Sequence, residues 1–198
     1  MDRRRERLAQ ALDETGLWRS ADPGERREHL AAIRAGAYPL DLPIFDDVRF
    51  PADGDRLADG GVADLLAAMA PALAEHGIVL RVRVLAHSDR KYAVEINDRV
   101  CVIWDDTVPA LIPTQRAGAL TQPVAGAPPV GHAATVRPLA VVNDLLARDT
   151  AAVRVFTLYT GDAQGTAYLL DLRVIRALRA CGLFDRRELP ELAAAERR

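Results

Sequence analysis

Three aspartate clusters are the part of this chain whose residue types and spacing suggest metal chemistry. The clusters are Asp46-Asp47, Asp53-Gly54-Asp55 and Asp105-Asp106. Carboxylate oxygens are the ligands that Mg²⁺ and Ca²⁺ prefer. A site built from Asp46, Asp47, Asp105 and Asp106 would suit a small metal-dependent hydrolase or nuclease. Nothing after Asp53 reproduces the ligand series of an EF-hand, and aspartates also stabilise turns through their own backbone, so we favour turn formation.

The histidines and cysteines do not form a catalytic or metal-binding pattern. The four histidines are His29, His76, His87 and His132. No two of them are three or four residues apart, so no pair can bind a metal from one helix face. Cys101 and Cys181 provide neither a disulfide framework nor a zinc-ligand set. Cys101 alternates with valines and is expected in the core, which disfavours a nucleophilic triad with His132. We therefore predict no catalytic residue and no cofactor.

Four residues of a predicted sheet are candidates for binding a partner. Tyr92 and Trp104 are expected on opposite faces of one hairpin, so a single layer of helices cannot bury both rings. An aromatic ring beside arginines such as Arg81 and Arg83 is typical of an interface anchor. We predict partner binding through Tyr92, Trp104, Arg81 and Arg83, with core membership of the two rings as the alternative.

The period of apolar residues changes along the chain between 3.6 residues, typical of helices, and 2 residues, typical of strands. The segments with a period of 2 include the four candidate residues for partner binding. Helices are predicted over residues 2–16, 22–35, 62–77, 138–148 and 171–182, and strands over 78–86, 92–96, 99–104, 152–159 and 166–170. The segment Asp22-Pro23-Gly24-Glu25 is a strong helix start, and Asn97-Asp98 is suited to a tight hairpin turn. Frequent prolines and glycines, which interrupt helices and strands, predict a Pro/Gly-rich loop over residues 107–135.

Together these elements predict an α+β fold in which one antiparallel sheet of about five strands is covered by helices. The predicted order of the core is α-βββ-α-ββ-α over residues 61–185. Residues 1–60 form an N-terminal helical extension with an Asp/Pro-rich connector, and residues 186–198 form a charged C-terminal tail with a closing helix.

The order of elements over residues 61–182 resembles the type III secretion chaperone-like fold. The resemblance rests on element order and on no sequence motif, and the proline-rich insertion between Trp104 and Leu139 departs from the compact pattern. It implies a small protein that binds other polypeptides and often dimerises.

Composition and charge favour a soluble protein and disfavour several partners. A chain of 198 residues with 49% hydrophobic and 27% charged residues can bury one sizeable core. The formal net charge of −2 gives no field that attracts nucleic acid. The opening segment lacks the apolar region of a signal peptide, and no run is long enough for a membrane helix, so we predict a cytoplasmic protein with no membrane partner. Lys91 is the only lysine, a usage typical of a GC-rich bacterial genome.

These observations predict a non-catalytic protein-binding module, such as a chaperone, an adaptor or an immunity-like regulator. Its partner would be another protein, or a second copy in a homodimer. Two alternatives remain at this stage, namely the metal-dependent hydrolase or nuclease and a structural subunit of a larger assembly.

Overall fold

The computed structural model describes residues 2–105, 130–148, 152–161 and 164–194, and within them the fold is α+β. The helices are α1 (Arg3–Glu14), α2 (Pro23–Ala35), α3 (Gly54–Arg56), α4 (Val62–Ala74), α5 (Val130–Arg148) and α6 (Leu172–Ala180). The strands are β1 (Arg49–Pro51), β2 (Val82–Ser88), β3 (Lys91–Ile96), β4 (Arg99–Asp105), β5 (Val153–Gly161), β6 (Gln164–Asp171) and β7 (Glu191–Leu192). Shorter helical turns span Pro39–Asp41, Pro43–Val48, Leu57–Gly61 and Arg186–Glu188.

The strands form two antiparallel sheets, which corrects the expectation of one sheet of about five strands. The four-stranded sheet has the order β1-β6-β5-β7, and the three-stranded sheet has the order β2-β3-β4. The element order also differs from the prediction, because β1 precedes α4 and β7 follows α6. These two strands have three and two residues, too few for an alternation of apolar residues to be recognisable.

Helices α4 and α5 lie between the two sheets and share one core with both. That core includes Leu66 and Leu139 from the helices, Val94 and Ile103 from the three-stranded sheet, and Leu169 from the four-stranded sheet. A second core covers the opposite face of the four-stranded sheet, where residues of α1, α2 and α6 pack against Phe156, Leu158, Tyr168 and Leu170. Strands β5 and β6 are therefore apolar on both faces because helices cover both.

The predicted helix starts at residues 22 and 171 are confirmed by side-chain caps. The Asp22 carboxylate accepts a 2.6 Å hydrogen bond from the backbone N–H of Gly24, and the Glu25 carboxylate accepts one of 3.3 Å from the N–H of Asp22. Asp171 caps α6 by accepting from the backbone N–H of Arg173 at 2.7 Å. Such caps satisfy N–H groups that have no partner within a helix, so short sequence motifs predict them well.

Helix α5 begins earlier than predicted. It starts at Val130 instead of Pro138, so residues 130–135 of the predicted loop are helical. The remaining residues of that loop, 107–129, lie outside the described residues. Gly131 lies against Gly54. A Cβ atom added at Gly54 would lie 2.7 Å from the carbonyl carbon of Gly131. Two glycines thus allow the start of α5 to approach the backbone of α3 closely.

The predicted C-terminal helix is wrong over the described part of the chain. Residues 186–188 form a short 3-10 turn, and Glu191–Leu192 form β7 against β5. Strand β7 places Leu192 opposite Phe156 and Glu191 opposite Thr157. The charged residues that suggested a helix instead lie on a segment whose conformation is set by pairing with a distant strand.

One helical stretch in the described part of the chain, Gly54–Ala74, is long and apolar enough to cross a membrane by length and composition alone. Core helices of soluble proteins meet the same criterion. Leu65, Leu66, Met69 and Leu73 of this stretch belong to the core between the sheets. A cytoplasmic location stays a prediction.

Candidate functional site

Tyr92 and Trp104 lie on the same side of the β3–β4 hairpin, which corrects their predicted placement on opposite faces. The hairpin turn itself is confirmed, since Asn97 and Asp98 have φ angles of 46° and 64°. Val94 lies opposite Cys101 as expected, but a β-bulge at Ile103 then shifts the register and brings Trp104 opposite Tyr92. One extra residue in one strand reverses the face of every residue beyond it.

Both rings reach the turn at residues 57–61. The Tyr92 hydroxyl donates a 2.9 Å hydrogen bond to the carbonyl of Gly60, and the Trp104 indole N–H donates one of 3.0 Å to the carbonyl of Ala58. Tyr92 is 0% exposed and is a core residue. Trp104 is half-buried and borders a small pocket of about 290 Å³ beside His87.

Arg81 and Arg83 lie at the exposed surface and are engaged within the hairpin. Arg81 donates a 3.0 Å hydrogen bond to Asp98, and Arg83 donates one of 3.0 Å to Glu95. Neither arginine lines the small pocket that Trp104 borders. Partner binding through Trp104, Arg81 and Arg83 stays a prediction.

The aspartates of the metal hypothesis lie on different parts of the fold. Asp46 is exposed and forms an ion pair with Arg49, and Asp47 is also exposed. Asp105 is 8% exposed at the end of β4 and forms a 3.1 Å ion pair with Lys91. Asp106 lies outside the described residues. Within the described ranges, no three His, Cys, Asp or Glu side chains converge on a common point.

A cleft of about 1580 Å³ lies on the four-stranded sheet. We call it the Tyr38–Tyr168 cleft. Its aromatic lining consists of Tyr38, Tyr159, Tyr168 and Phe184. Its charged lining consists of Arg49, Arg186 and Arg187 with Asp41, Asp46, Glu188 and Glu191. The floor comes from β5 and β6, and the walls come from residues 36–51 and 184–191.

Hydrogen-bonding groups hold the two tyrosines in the cleft. The Tyr38 hydroxyl donates to the backbone carbonyl of Glu188, and the Tyr38 ring meets the Phe184 ring edge-on with centroids 5.1 Å apart. Burial raises the pKa of Tyr38 above its ordinary range, and Tyr168, Asp41 and Glu188 add to the rise. Burial also raises the pKa of Tyr168, although Arg49 opposes it. Both phenols therefore remain protonated donors at neutral pH.

Comparison with family models, with curated proteins and with solved structures found no match to this chain. The functional argument consequently rests on the geometry of the site. The resemblance to the type III secretion chaperone-like fold stays a prediction from element order.

Of the residues that line the cleft, the sequence pointed only to Asp46, and it did so as a metal ligand. The lining residues come from segments as distant as Gly36 and Glu191, and their spacing carries no motif. The one available signal was composition, because tyrosine and arginine are enriched at protein interfaces. Tyr38 and Tyr168 stand beside proline-rich and strand segments where that signal is not distinctive.

Cys101 is predicted to be unreactive in the folded protein. Burial in the core raises the pKa of its thiol to about 11, an effect that Arg137 opposes only in part. The half-buried Cys181 is the more accessible thiol. At pH 8 we expect a thiol reagent to label Cys181 and leave Cys101 unmodified, as read by peptide mass spectrometry. Equal labelling of both thiols in the folded protein, or retention of label in Cys181→Ser, would contradict this assignment.

Proposed function

We propose that this protein is a protein-binding module that holds a segment of another polypeptide chain in the Tyr38–Tyr168 cleft. The observation that carries the proposal is the size of the cleft together with its lining. At about 1580 Å³ it exceeds the range of roughly 300 to 1,000 Å³ that is usual for small-molecule sites. A polypeptide segment matches this volume better than a metabolite does.

The lining of the cleft has the composition of an interface centre. Aromatic rings and arginine side chains provide most of the binding energy in protein interfaces, since they combine large apolar area with directional hydrogen bonds. The Tyr38–Tyr168 cleft contains four aromatic rings and three arginines. Its positive groups stand among four carboxylates, a mixture that disfavours nucleic acid, which needs a basic surface.

The charges of the cleft are partly satisfied within the chain. Arg49 pairs with Asp46, and Arg186 pairs with Glu191 at 3.2 Å. Among the described residues, Arg187, Asp41 and Glu188 lie in the cleft with no ion pair, although the Glu188 carboxylate accepts a hydrogen bond from the backbone N–H of Asp185. A bound segment would meet one positive and two negative groups there, which suits a polypeptide with both kinds of side chain better than a polyanion.

The biological role is then that of a chaperone, an adaptor or an immunity-like regulator, with another protein or a second copy as the partner. This proposal keeps the predicted class of function and changes the surface. The predicted surface formed by Tyr92, Trp104, Arg81 and Arg83 is less suitable because the Tyr92 ring is fully buried. The cleft on the four-stranded sheet takes its place.

Site-specific photo-crosslinking tests the proposal. A benzophenone amino acid would replace Arg187 in the cleft and, as a matched control, Arg81 on the three-stranded sheet; both arginines are exposed in the folded chain. Crosslinking in the native host, followed by mass spectrometry, identifies the segment that each position touches. We expect position 187 to label one defined polypeptide segment and position 81 not to label it.

A purified peptide of that segment then allows a quantitative comparison. Arg187→Glu should weaken its binding about ten-fold, because it reverses a charge inside the interface, whereas Arg81→Glu should leave binding unchanged. Isothermal titration measures both. A segment labelled from position 81 alone, or equal losses in the two variants, would refute the cleft as the docking site. Labelling of the protein by itself identifies a second copy as the partner and supports the proposal.

A further inference from the structure

Residues 184–189 form one wall of the cleft. This segment is attached to the rest of the fold mainly at its two ends. We call this segment the flap. Its preceding helix α6 is anchored by the buried Leu178 and ends before Gly182, which has a left-handed φ of 62°. Positive φ is accessible to glycine at little cost, so Gly182 provides a turn at which the flap leaves the helix.

The chain after the flap is firmly fixed. Arg179 donates a 3.3 Å hydrogen bond to the carbonyl of Pro190. The backbone N–H of Ala193 donates to the carbonyl of Val155 at 3.1 Å, and the Asn143 amide donates to the carbonyl of Ala193 at 2.7 Å. Ala193 is 1% exposed. The flap is therefore attached at one end to α6 and at the other to the anchored residues 190–193, and the segment between them lines the cleft.

The centre of the flap lies beside β5 but is not buried against it. Residues 185–188 are all exposed. Their own hydrogen bonds are local, since the carboxylate of Glu188 accepts from the backbone N–H of Asp185 at 2.7 Å. The pair between Arg186 and Glu191 joins side chains that are 90% and 60% exposed, an arrangement that contributes little stability.

Tyr38 supplies the connection between the flap and the opposite wall. Its hydroxyl donates to the carbonyl of Glu188, and its ring packs edge-on against Phe184. The two contacts come from one side chain. Phe184 and Leu189, at the two ends of the flap, also pack against the second core. A segment with anchored ends and an exposed centre that one hydrogen bond joins to the opposite wall can open locally while the rest of the protein stays folded.

We propose that residues 184–189 are a flap over the Tyr38–Tyr168 cleft and that the Tyr38 hydroxyl latches it closed. Opening occurs between Gly182 and Pro190 and widens the cleft for an incoming segment. The role of the opening rests on the proposed function. The latch itself is a property of the free protein and is testable without a partner.

Limited proteolysis of the full chain with trypsin measures the opening. Arg186 and Arg187 lie at the centre of the flap and are exposed, but a protease needs several residues in extended form, which only the open flap provides. Cleavage then follows the population of the open state. Tyr38→Phe keeps the ring contact with Phe184 and removes the hydrogen bond to Glu188. We expect cleavage at these two arginines to become about five-fold faster, the effect of losing one ordinary hydrogen bond.

Tyr168→Phe is the matched control, because it removes a hydroxyl from the same cleft and leaves the flap contacts intact. Its cleavage rate at Arg186 and Arg187 should equal that of the wild type. An unchanged rate in Tyr38→Phe, the same acceleration in Tyr168→Phe, or an acceleration of equal size at every arginine would overturn the latch. Faster cleavage combined with failed crosslinking from position 187 would leave the latch standing and refute the proposed function.

Discussion

Replacing Asn143 by leucine is expected to lower the free energy of unfolding by about 3 kcal/mol, the cost of leaving two buried backbone groups without partners. Asn143 is 8% exposed on α5. Its Oδ1 accepts from the backbone N–H of Val155 at 2.7 Å, and its Nδ2 donates to the carbonyls of Val155 at 2.8 Å and Ala193 at 2.7 Å. Leucine has a similar size and none of these hydrogen-bonding atoms.

The large effect follows from the short length of β7. This strand pairs only with Phe156 and Thr157 of β5, so the N–H of Val155 has no partner from β7. The Asn143 amide takes the place of the missing strand. After substitution, the Val155 N–H and the Ala193 carbonyl lose this partner, whereas the Val155 carbonyl still accepts from Ala193. Unsatisfied groups in a low-dielectric core retain their full desolvation cost.

Urea unfolding measures this prediction, and Asp144→Ala is its control on the same helix. Asp144 forms a 2.9 Å pair with Arg99, but its side chain is 69% exposed. A surface pair of this kind contributes about 0 to 1 kcal/mol. If the free energy of unfolding falls no further in Asn143→Leu than in Asp144→Ala, the Asn143 amide does not hold β7 in place. Hydrogen exchange at Ala193 should also accelerate in Asn143→Leu only.

Replacing Gly54 by alanine is expected to destabilise the protein by about 2 to 3 kcal/mol, the range of an overpacked core position. An added Cβ atom would lie 2.7 Å from the carbonyl carbon and oxygen of Gly131. These are backbone atoms of α5, so they cannot move away as the end of a flexible side chain can. The helix or the preceding turn must shift, and α5 contacts both sheets.

Two other glycines calibrate this measurement. Alanine at Gly131 would bring its Cβ atom to 3.1 Å from the carbonyl carbon of Gly54, a milder contact that predicts a smaller loss. Gly77 has a φ of 77° with no atom within 4 Å of an added Cβ, so Gly77→Ala should cost only the backbone strain of about 1 kcal/mol. Thermal or urea unfolding ranks the three variants. If Gly54→Ala is as stable as Gly77→Ala, the backbones of α3 and α5 pack less closely at Gly54 and Gly131 than this contact requires.

The Asn143→Leu and Gly54→Ala variants should differ in their effect on the proposed binding site. Asn143 holds the C-terminal anchor of the flap, so its loss should weaken the cleft as well as the core. Gly54 lies where α3 meets α5 and does not line the cleft. A destabilised but folded Gly54→Ala protein should therefore still bind the segment identified by crosslinking.

Local features of this fold were predictable from the sequence because their causes are local. The cap at Asp22 satisfies N–H groups within one helical turn, and the turn at Asn97 and Asp98 depends on their own tolerance of positive φ. The register that pairs Val94 with Cys101 follows from that turn. These signals were sufficient for the α+β class and for the positions of most strands.

The division into two sheets, the bulge at Ile103 and the cleft were decided only by the tertiary structure. Which strands share a sheet depends on which apolar faces the helices cover, and α4 and α5 cover a face of each sheet. Strand β1 and strand β7 exist because distant strands offer them partners. The cleft joins Tyr38 to Glu188 across 150 positions of sequence, and no local pattern encodes contacts of that range.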